Sequence, residues 1–335
     1  MEDDLDAFLN SSFIPGFLSE NFTFLLNSSF DFDFDFPIVR SLAVIPFLLV
    51  GVVGLISNAL VLFIIMCSKK MWRTMNVFIF CLALGDFLYM LCLLFLAVEI
   101  LYPLGSFMCV LYWTLTAVVT FSSVYFLAIM SSRVFLQAYF PDFSKNIKVK
   151  VAALTSGGIW ILSLLLGIPF FIYANVNEYS SCVLLWPYEY WTMVFNIYRF
   201  VLAFMVPLIL TVVCLVLTQC RARKFDQSID PTVSDIKQNV VMIMVLSLIF
   251  IIFWLPSHLL ELIAGGSLIL DSEATYYGIS IIPYLKSCIY PFVYGFLSGD
   301  FKNAYNRIFC CKKIPEDEDL QKNSNNKSED KSSAC

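Results

Sequence analysis

Long apolar runs alternate with short polar connections along almost the whole chain. A helix that crosses a bilayer needs about 20 largely apolar residues. Seven stretches qualify, at 42–67, 75–98, 100–132, 151–174, 190–219, 239–260 and 274–299. Four carry no charged residue, and the other three carry one each: Asp86, Arg199 and Lys286. The pattern predicts an all-α fold, a bundle of seven transmembrane helices. Seven is odd, so the two termini lie on opposite sides of the membrane.

Basic residues orient the bundle, because cytosolic connections carry the excess of Lys and Arg. Lys69, Lys70 and Arg73 lie between spans 1 and 2, and Lys145, Lys148 and Lys150 between spans 3 and 4. Arg221, Arg223, Lys224 and Lys237 lie between spans 5 and 6, and Lys302, Arg307, Lys312 and Lys313 follow span 7. The opposite face holds Arg40 and almost nothing else basic. The N-terminus is therefore expected outside and the C-terminus in the cytosol.

Composition agrees and removes other classes. Of 335 residues, 59% are hydrophobic and 14% charged, against roughly 45–50% and about 25% in soluble domains. The mean hydropathy is +0.80. An ordinary soluble enzyme, a disordered chain and a nucleic-acid-binding domain are excluded. The single histidine, His258, excludes His-rich metal sites, and the eleven cysteines form no CxxC pair. No cofactor is expected.

The flanks divide the chain further. Residues 1–40 read as an extracellular glycosylated tail, with sequons at Asn10, Asn21 and Asn27. The start lacks the basic region of a signal peptide, so span 1 reads as an uncleaved anchor. Residues 41–299 form the seven-helix domain. Residues 300–311 have apolar positions at helical spacing with basic ones between, which suits an amphipathic helix on the inner membrane face. Cys310 and Cys311 behind it are candidates for palmitoylation. Residues 312–335 are acidic and Ser/Asn-rich, as in disordered tails. In the N-terminal tail Asp31, Asp33 and Asp35 alternate with Phe32, Phe34 and Phe36. With Glu2, Asp3, Asp4, Asp6, Glu20, Glu178, Glu189, Asp271 and Glu273 they make the outer face negative. Such a face steers cationic ligands such as a basic peptide; a solvated charge run that keeps the tail extended explains the repeat equally well.

Landmark residues occur in every span. Asn58 lies in GLISNALVL, Asp86 ends LALGD, and Cys109 opens span 3 after Tyr102-Pro103-Leu104-Gly105. Trp160 and Pro169 lie in span 4, Cys182 in the loop before span 5, and Pro207 in span 5. FIIFWLP ends at Pro256, and YPFVY runs from Tyr290 through Pro291 to Tyr294. Together these resemble the rhodopsin-like (class A) G-protein-coupled receptors over roughly residues 40–312. VLLWP after Cys182, FMVPL in span 5 and FLSGDFKNAY after span 7 resemble the somatostatin, opioid and chemokine peptide-receptor branch. The resemblance implies a plasma-membrane receptor for a peptide or chemokine-like ligand, with a heterotrimeric G protein and arrestin as cytosolic partners and the bilayer as solvent. It implies a Cys109–Cys182 disulfide, which persists on the outer side. Pro207, Pro256 and Pro291 would kink their helices, and Trp254 would form the aromatic floor of the ligand pocket.

Departures from the family point to altered function. Arg133-Val134-Phe135 stands where the family has Asp-Arg-Tyr. The arginine is thus one residue early, a turn of about 100° round the helix. Leu215 replaces the tyrosine expected eight residues after Pro207. These changes suggest altered or constitutive G-protein coupling, or a non-signalling decoy that binds and internalises. The family holds sodium on the span 2 aspartate with help from span 7 asparagines. Those span 7 positions are here Lys286 and Tyr290, on one helical face. Ionisable residues inside a membrane are functional hypotheses by default. Lys286 is expected to replace sodium and pair with Asp86 near Ser123; snorkelling or a water pocket is the alternative.

The pocket candidates are Glu99, Thr116, Thr120, Arg199, His258, Glu261, Tyr276, Ser280 and Tyr284. Arg199 and Glu261 either pair in the free protein or each meet a charged ligand group. Thr116 stands where aminergic receptors carry aspartate, which argues against an amine ligand. An opsin would need its lysine at Tyr284; Lys286 is displaced by about 200° of rotation. A transporter could use Asp86, Arg199 and Lys286 as a relay, but no repeat symmetry is visible. GxSxG and HExxH are absent, so no hydrolase is indicated.

Overall fold

The computed structural model describes residues 36–178, 181–224, 231–263 and 278–310. Span 1 is Phe36–Cys67, span 2 Thr74–Leu101 and span 3 Ser106–Tyr139. Span 4 is Val149–Leu166, continued by a short helix Ile168–Tyr173. Span 5 runs through Tyr190–Phe200, a π-helical turn Val201–Met205 and Val206–Lys224. Span 6 is Pro231–Ile263, and span 7 is Ile282–Leu297, followed by a helix Gly299–Cys310. The all-α expectation holds apart from one small hairpin.

Six of these helices are long and apolar enough to cross a membrane. The described helix of span 7 has 16 residues, about 24 Å at 1.5 Å per residue. That falls short of a hydrocarbon core of about 30 Å. Residues 278–280 are also helical, and the expected start at 274 lies outside the described residues. Side chains such as Ile56, Leu154 and Phe296 point outward, the last 78% exposed. In water so much apolar surface would drive association; facing lipid it is simply solvated.

Several helix ends differ from the hydropathy pattern. Ile100 and Leu101 complete span 2 rather than opening span 3. The chain then turns at Gly105, whose φ of 82° suits glycine. Span 3 continues past Ser132 to Tyr139 and spans 5 and 6 extend to Lys224 and from Pro231. Hydropathy marks the lipid-buried part of a helix, whereas backbone hydrogen bonding carries it on into water. Span 4 breaks at Gly167, and Pro169 sits in the first turn of the next helix, where its missing N–H costs nothing. In span 5 the missing N–H of Pro207 removes the bond to the residue 203 carbonyl. The ladder widens there into the π-turn just before it.

Outside, β1 (Ala174–Val176) pairs antiparallel with β2 (Cys182–Leu184), placing Val176 opposite Cys182. Cys182 is disulfide-bonded to Cys109 in the first turn of span 3, with Cα atoms 5.4 Å apart. Inside the bundle, spans 1 and 2 meet through glycine: a Cβ on Gly54 would run into the Met90 side chain. Phe301 buries the last helix against Tyr294, ring centroids 5.9 Å apart. Asp300 beside it meets Arg73 at 3.4 Å and accepts from Asn76 Nδ2 at 3.1 Å, tying this helix to the start of span 2.

The disulfide ties the hairpin covalently to span 3. Cys182→Ser is expected to cost about 2–4 kcal/mol, which lowers the melting temperature in detergent by several degrees and reduces surface expression. An unchanged midpoint would show that the hairpin is held by other contacts.

Candidate functional site

Polar side chains gather at three depths of the bundle. The middle level is built on Asp86. Lys286 Nζ stands 2.6 Å from Asp86 Oδ1, with side chains 1% and 0% exposed. Ser287 Oγ donates to the same oxygen at 2.7 Å. The ammonium lies 3.5 Å from Ser123 Oγ and 3.4 Å from Ser287 Oγ. Asn58 Nδ2 donates to the Ser287 carbonyl at 2.9 Å and the Gly54 carbonyl at 2.8 Å. Spans 1, 2, 3 and 7 thus meet at one polar cluster. Lys286 Nζ also sits 4.9 Å from the Tyr290 ring centroid and 5.9 Å from that of Tyr89, within cation–π reach. Tyr290, one helical turn further on, donates its hydroxyl to the Leu246 carbonyl of span 6 at 3.0 Å.

A lysine this deep does not snorkel, because its nitrogen is directed into the bundle. The sodium ion implied by the resemblance does not fit this arrangement. The ammonium already takes the Asp86 oxygen and approaches both serine hydroxyls. Asp86 Oδ2 has no hydrogen-bond partner among the described residues.

The outer level rests on Trp254, buried and stacked near Phe250, Tyr89 and His258 at 6.1, 6.2 and 5.5 Å. Above it Arg199 Nη1 donates to Glu261 Oε1 at 2.9 Å, bridging spans 5 and 6. Asn196 Nδ2 reinforces the bridge by donating to the Glu261 carbonyl at 2.8 Å. The guanidinium lies 5.7 Å from the Phe170 ring centroid. His258 Nδ1 is 3.8 Å from Glu261 Oε2, too long for a hydrogen bond. The imidazole is buried edge-on against Phe200 and Phe204.

Other outer candidates occupy different places. Tyr284 stacks on Tyr89 at 4.1 Å and shares a hydroxyl hydrogen bond with Tyr112 at 3.2 Å. Thr120 Oγ1 donates to the Thr116 carbonyl at 2.7 Å, while Thr116 Oγ1 has no partner among the described residues. Ser280 is half-buried near the start of span 7, and Tyr276 lies outside the described residues. Glu99 Oε2 accepts the Leu104 N–H at 2.8 Å, so it caps the turn between spans 2 and 3. Tyr89, Tyr112, Phe170 and Asn196 also belong to this level, though sequence pattern alone does not single them out. Tyr89 comes nearest: three residues after Asp86, it shares that face of the helix.

At the cytosolic level Arg133 turns away from the bundle axis. Its guanidinium donates to the hydroxyl and the carbonyl of Ser144. Ser144 is buried in the short helix Pro141–Lys145. Val134 and Leu215 are buried apolar residues, and Phe135 stacks on Tyr139 at 4.7 Å. Among the described residues no ion pair joins span 3 to span 6. Pro256 and Pro291 lie inside spans 6 and 7, and Tyr294 is buried below Tyr290. Asn10, Asn21, Asn27 and Cys311 lie outside the described residues, and Cys310 is the last residue of the final helix.

The comparison with known families decides what this bundle is. The family model for the 7 transmembrane receptor (rhodopsin family) matches residues 57–294. The chain belongs to the rhodopsin family of receptors. Somatostatin receptor type 5 of Rattus norvegicus is 31% identical over 281 residues, 80% of this chain and 77% of its own. Somatostatin receptor type 2 of Mus musculus is 31% identical over 301 residues, 84% and 81% of the two chains. Somatostatin receptor type 1 of Rattus norvegicus is 29% identical over 274 residues, 78% and 70%. The receptor is a multi-pass plasma-membrane protein and not an enzyme. Membership removes the transporter and hydrolase readings.

In this receptor the Arg133–Ser144 contact fastens the loop helix between spans 3 and 4. Arg133→Ala is expected to speed amide hydrogen exchange across residues 141–147 roughly tenfold, the factor for about 1.4 kcal/mol of lost hydrogen bonding. Exchange unchanged from the native receptor would show that Arg133 does not hold this helix.

Proposed function

We propose that this receptor binds a peptide in its outer half and activates heterotrimeric G proteins by an altered route with substantial basal activity. The relatives are named as somatostatin receptors, which supports a peptide ligand. The Arg199–Glu261 bridge is the anchoring point. It is one charge pair over an aromatic wall, and a charged side chain or terminus of a peptide exchanges with one of its members. Thr116 offers a hydroxyl in place of a carboxylate, so the ligand amine is not held there by charge. The negative outer tail attracts a basic peptide.

The observation that carries the altered coupling is the direction of Arg133. Its guanidinium is spent on Ser144, and the position facing the core is the apolar Val134. Restraint between spans 3 and 6 by charge is therefore missing among the described residues. The polar contacts of span 6 include the Arg199–Glu261 bridge and the Asn196–Glu261 hydrogen bond outside, and the Gln219–Met244 and Tyr290–Leu246 hydrogen bonds further in. With no charged contact from span 3 among the described residues, span 6 is expected to populate an outward position without ligand. Arrestin engagement would follow the same opening.

The test is basal G-protein activation in cells expressing the full chain, normalised to surface level, with labelled somatostatin as the first peptide probe. Activation above that of empty cells is expected. Silence at good surface expression, together with uptake of the labelled peptide, would contradict the proposal and favour a decoy that binds and internalises.

A further inference from the structure

The Asp86 cluster has the donor set of a small hard-cation site. A carboxylate and the hydroxyls of Ser123 and Ser287 converge on one point, and oxygen ligands of this kind suit small hard ions. At that point stands the Lys286 ammonium, 2.6 Å from Asp86 Oδ1 and within 3.5 Å of both hydroxyls. A second cation on the same oxygen would meet strong repulsion in a medium of low dielectric.

We propose that Lys286 is the receptor's own tethered occupant of this cation site, and that it makes the receptor's stability and conformational balance independent of sodium. A free ion stabilises the state that binds it by an amount that rises with the logarithm of its concentration. A cation attached to the backbone is present at all times and gives no such dependence. The site is also mechanically connected. Lys286 and Tyr290 share one face of span 7, the ammonium lies over the Tyr290 ring, and the Tyr290 hydroxyl holds the Leu246 carbonyl of span 6. A charge fixed at residue 286 therefore bears on span 6 through Tyr290. In a receptor with a mobile ion the same contact would loosen and tighten with ion occupancy; here it is constant. This holds whichever peptide the receptor binds and whether or not it signals.

The experiment compares the thermal midpoint of the full-length receptor in sodium chloride and in choline chloride at equal ionic strength. The native receptor is expected to give the same midpoint in both. Lys286→Ser removes the ammonium and adds a further oxygen; its midpoint is expected to shift upward in sodium relative to choline. Lys286→Asn serves the same purpose if the serine variant does not reach the membrane. A sodium-dependent rise in the native receptor would overturn the proposal, because Asp86 would then be holding an ion alongside the lysine. A folded Lys286→Ser or Lys286→Asn with no sodium response would also overturn it, because the ammonium would not be standing in a cation site. If neither variant folds, the native comparison decides alone: equal midpoints support the tethered cation and a sodium-dependent rise refutes it.

Discussion

Removing a carboxylate and an ammonium from water costs several kcal/mol per ion after relaxation, and lipid offers nothing to replace that hydration. Asp86 and Lys286 can occupy the middle of this bundle only because each is the other's solvent. Direct contact at 2.6 Å, two serine hydroxyls and two tyrosine rings complete the shell. Satisfying the pair requires four spans to converge, with Asn58 of span 1 holding the backbone of Ser287. The close approach of spans 1 and 2 at Gly54 belongs to the same convergence. The electrostatics of one pair thus constrain helix packing over the centre of the receptor.

The levels above and below are looser by comparison. Outside, the Arg199–Glu261 bridge is only partly buried, with side chains 14% and 33% exposed. Solvent reaches both partners of such a pair and weakens it relative to a fully buried one. Inside, Arg133 stabilises a loop helix, and apolar contacts fill the place of a charged lock. The described bundle therefore has a fully buried ion pair at its centre, a partly exposed one outside and an apolar Val134 at its cytosolic end.

The number of the spans was legible because lipid forces every backbone polar group into a helix, so hydropathy locates them; their orientation was legible in the Lys and Arg of the connections. Their ends were not, since polarity at Arg133 or Arg221 does not stop a helix that has left the hydrocarbon. The two three-residue strands are too short to produce a periodic signal, and the Cys109–Cys182 bond ties them to span 3. Pro207 marked a disturbance in span 5 without revealing that five residues before it widen into a π-turn. Asp86, Arg199 and Lys286 stood out because a charge inside a span is rare. Asn196, Tyr89 and Tyr112 are ordinary in such helices, and only three-dimensional placement shows what they touch. The Arg133–Ser144 contact depends on how a five-residue loop helix packs, which the spacing of residues does not encode.

The central claim, that Asp86 and Lys286 are one interacting unit, is tested most directly by a double-mutant cycle. Asp86→Asn, Lys286→Met and the double variant would be compared with the native receptor by thermal stability in detergent. The account predicts that each single change leaves a buried, unpaired group and destabilises by about 3–5 kcal/mol, while the double variant recovers most of the loss. Additivity of the two single effects, to within about 0.5 kcal/mol, would contradict it.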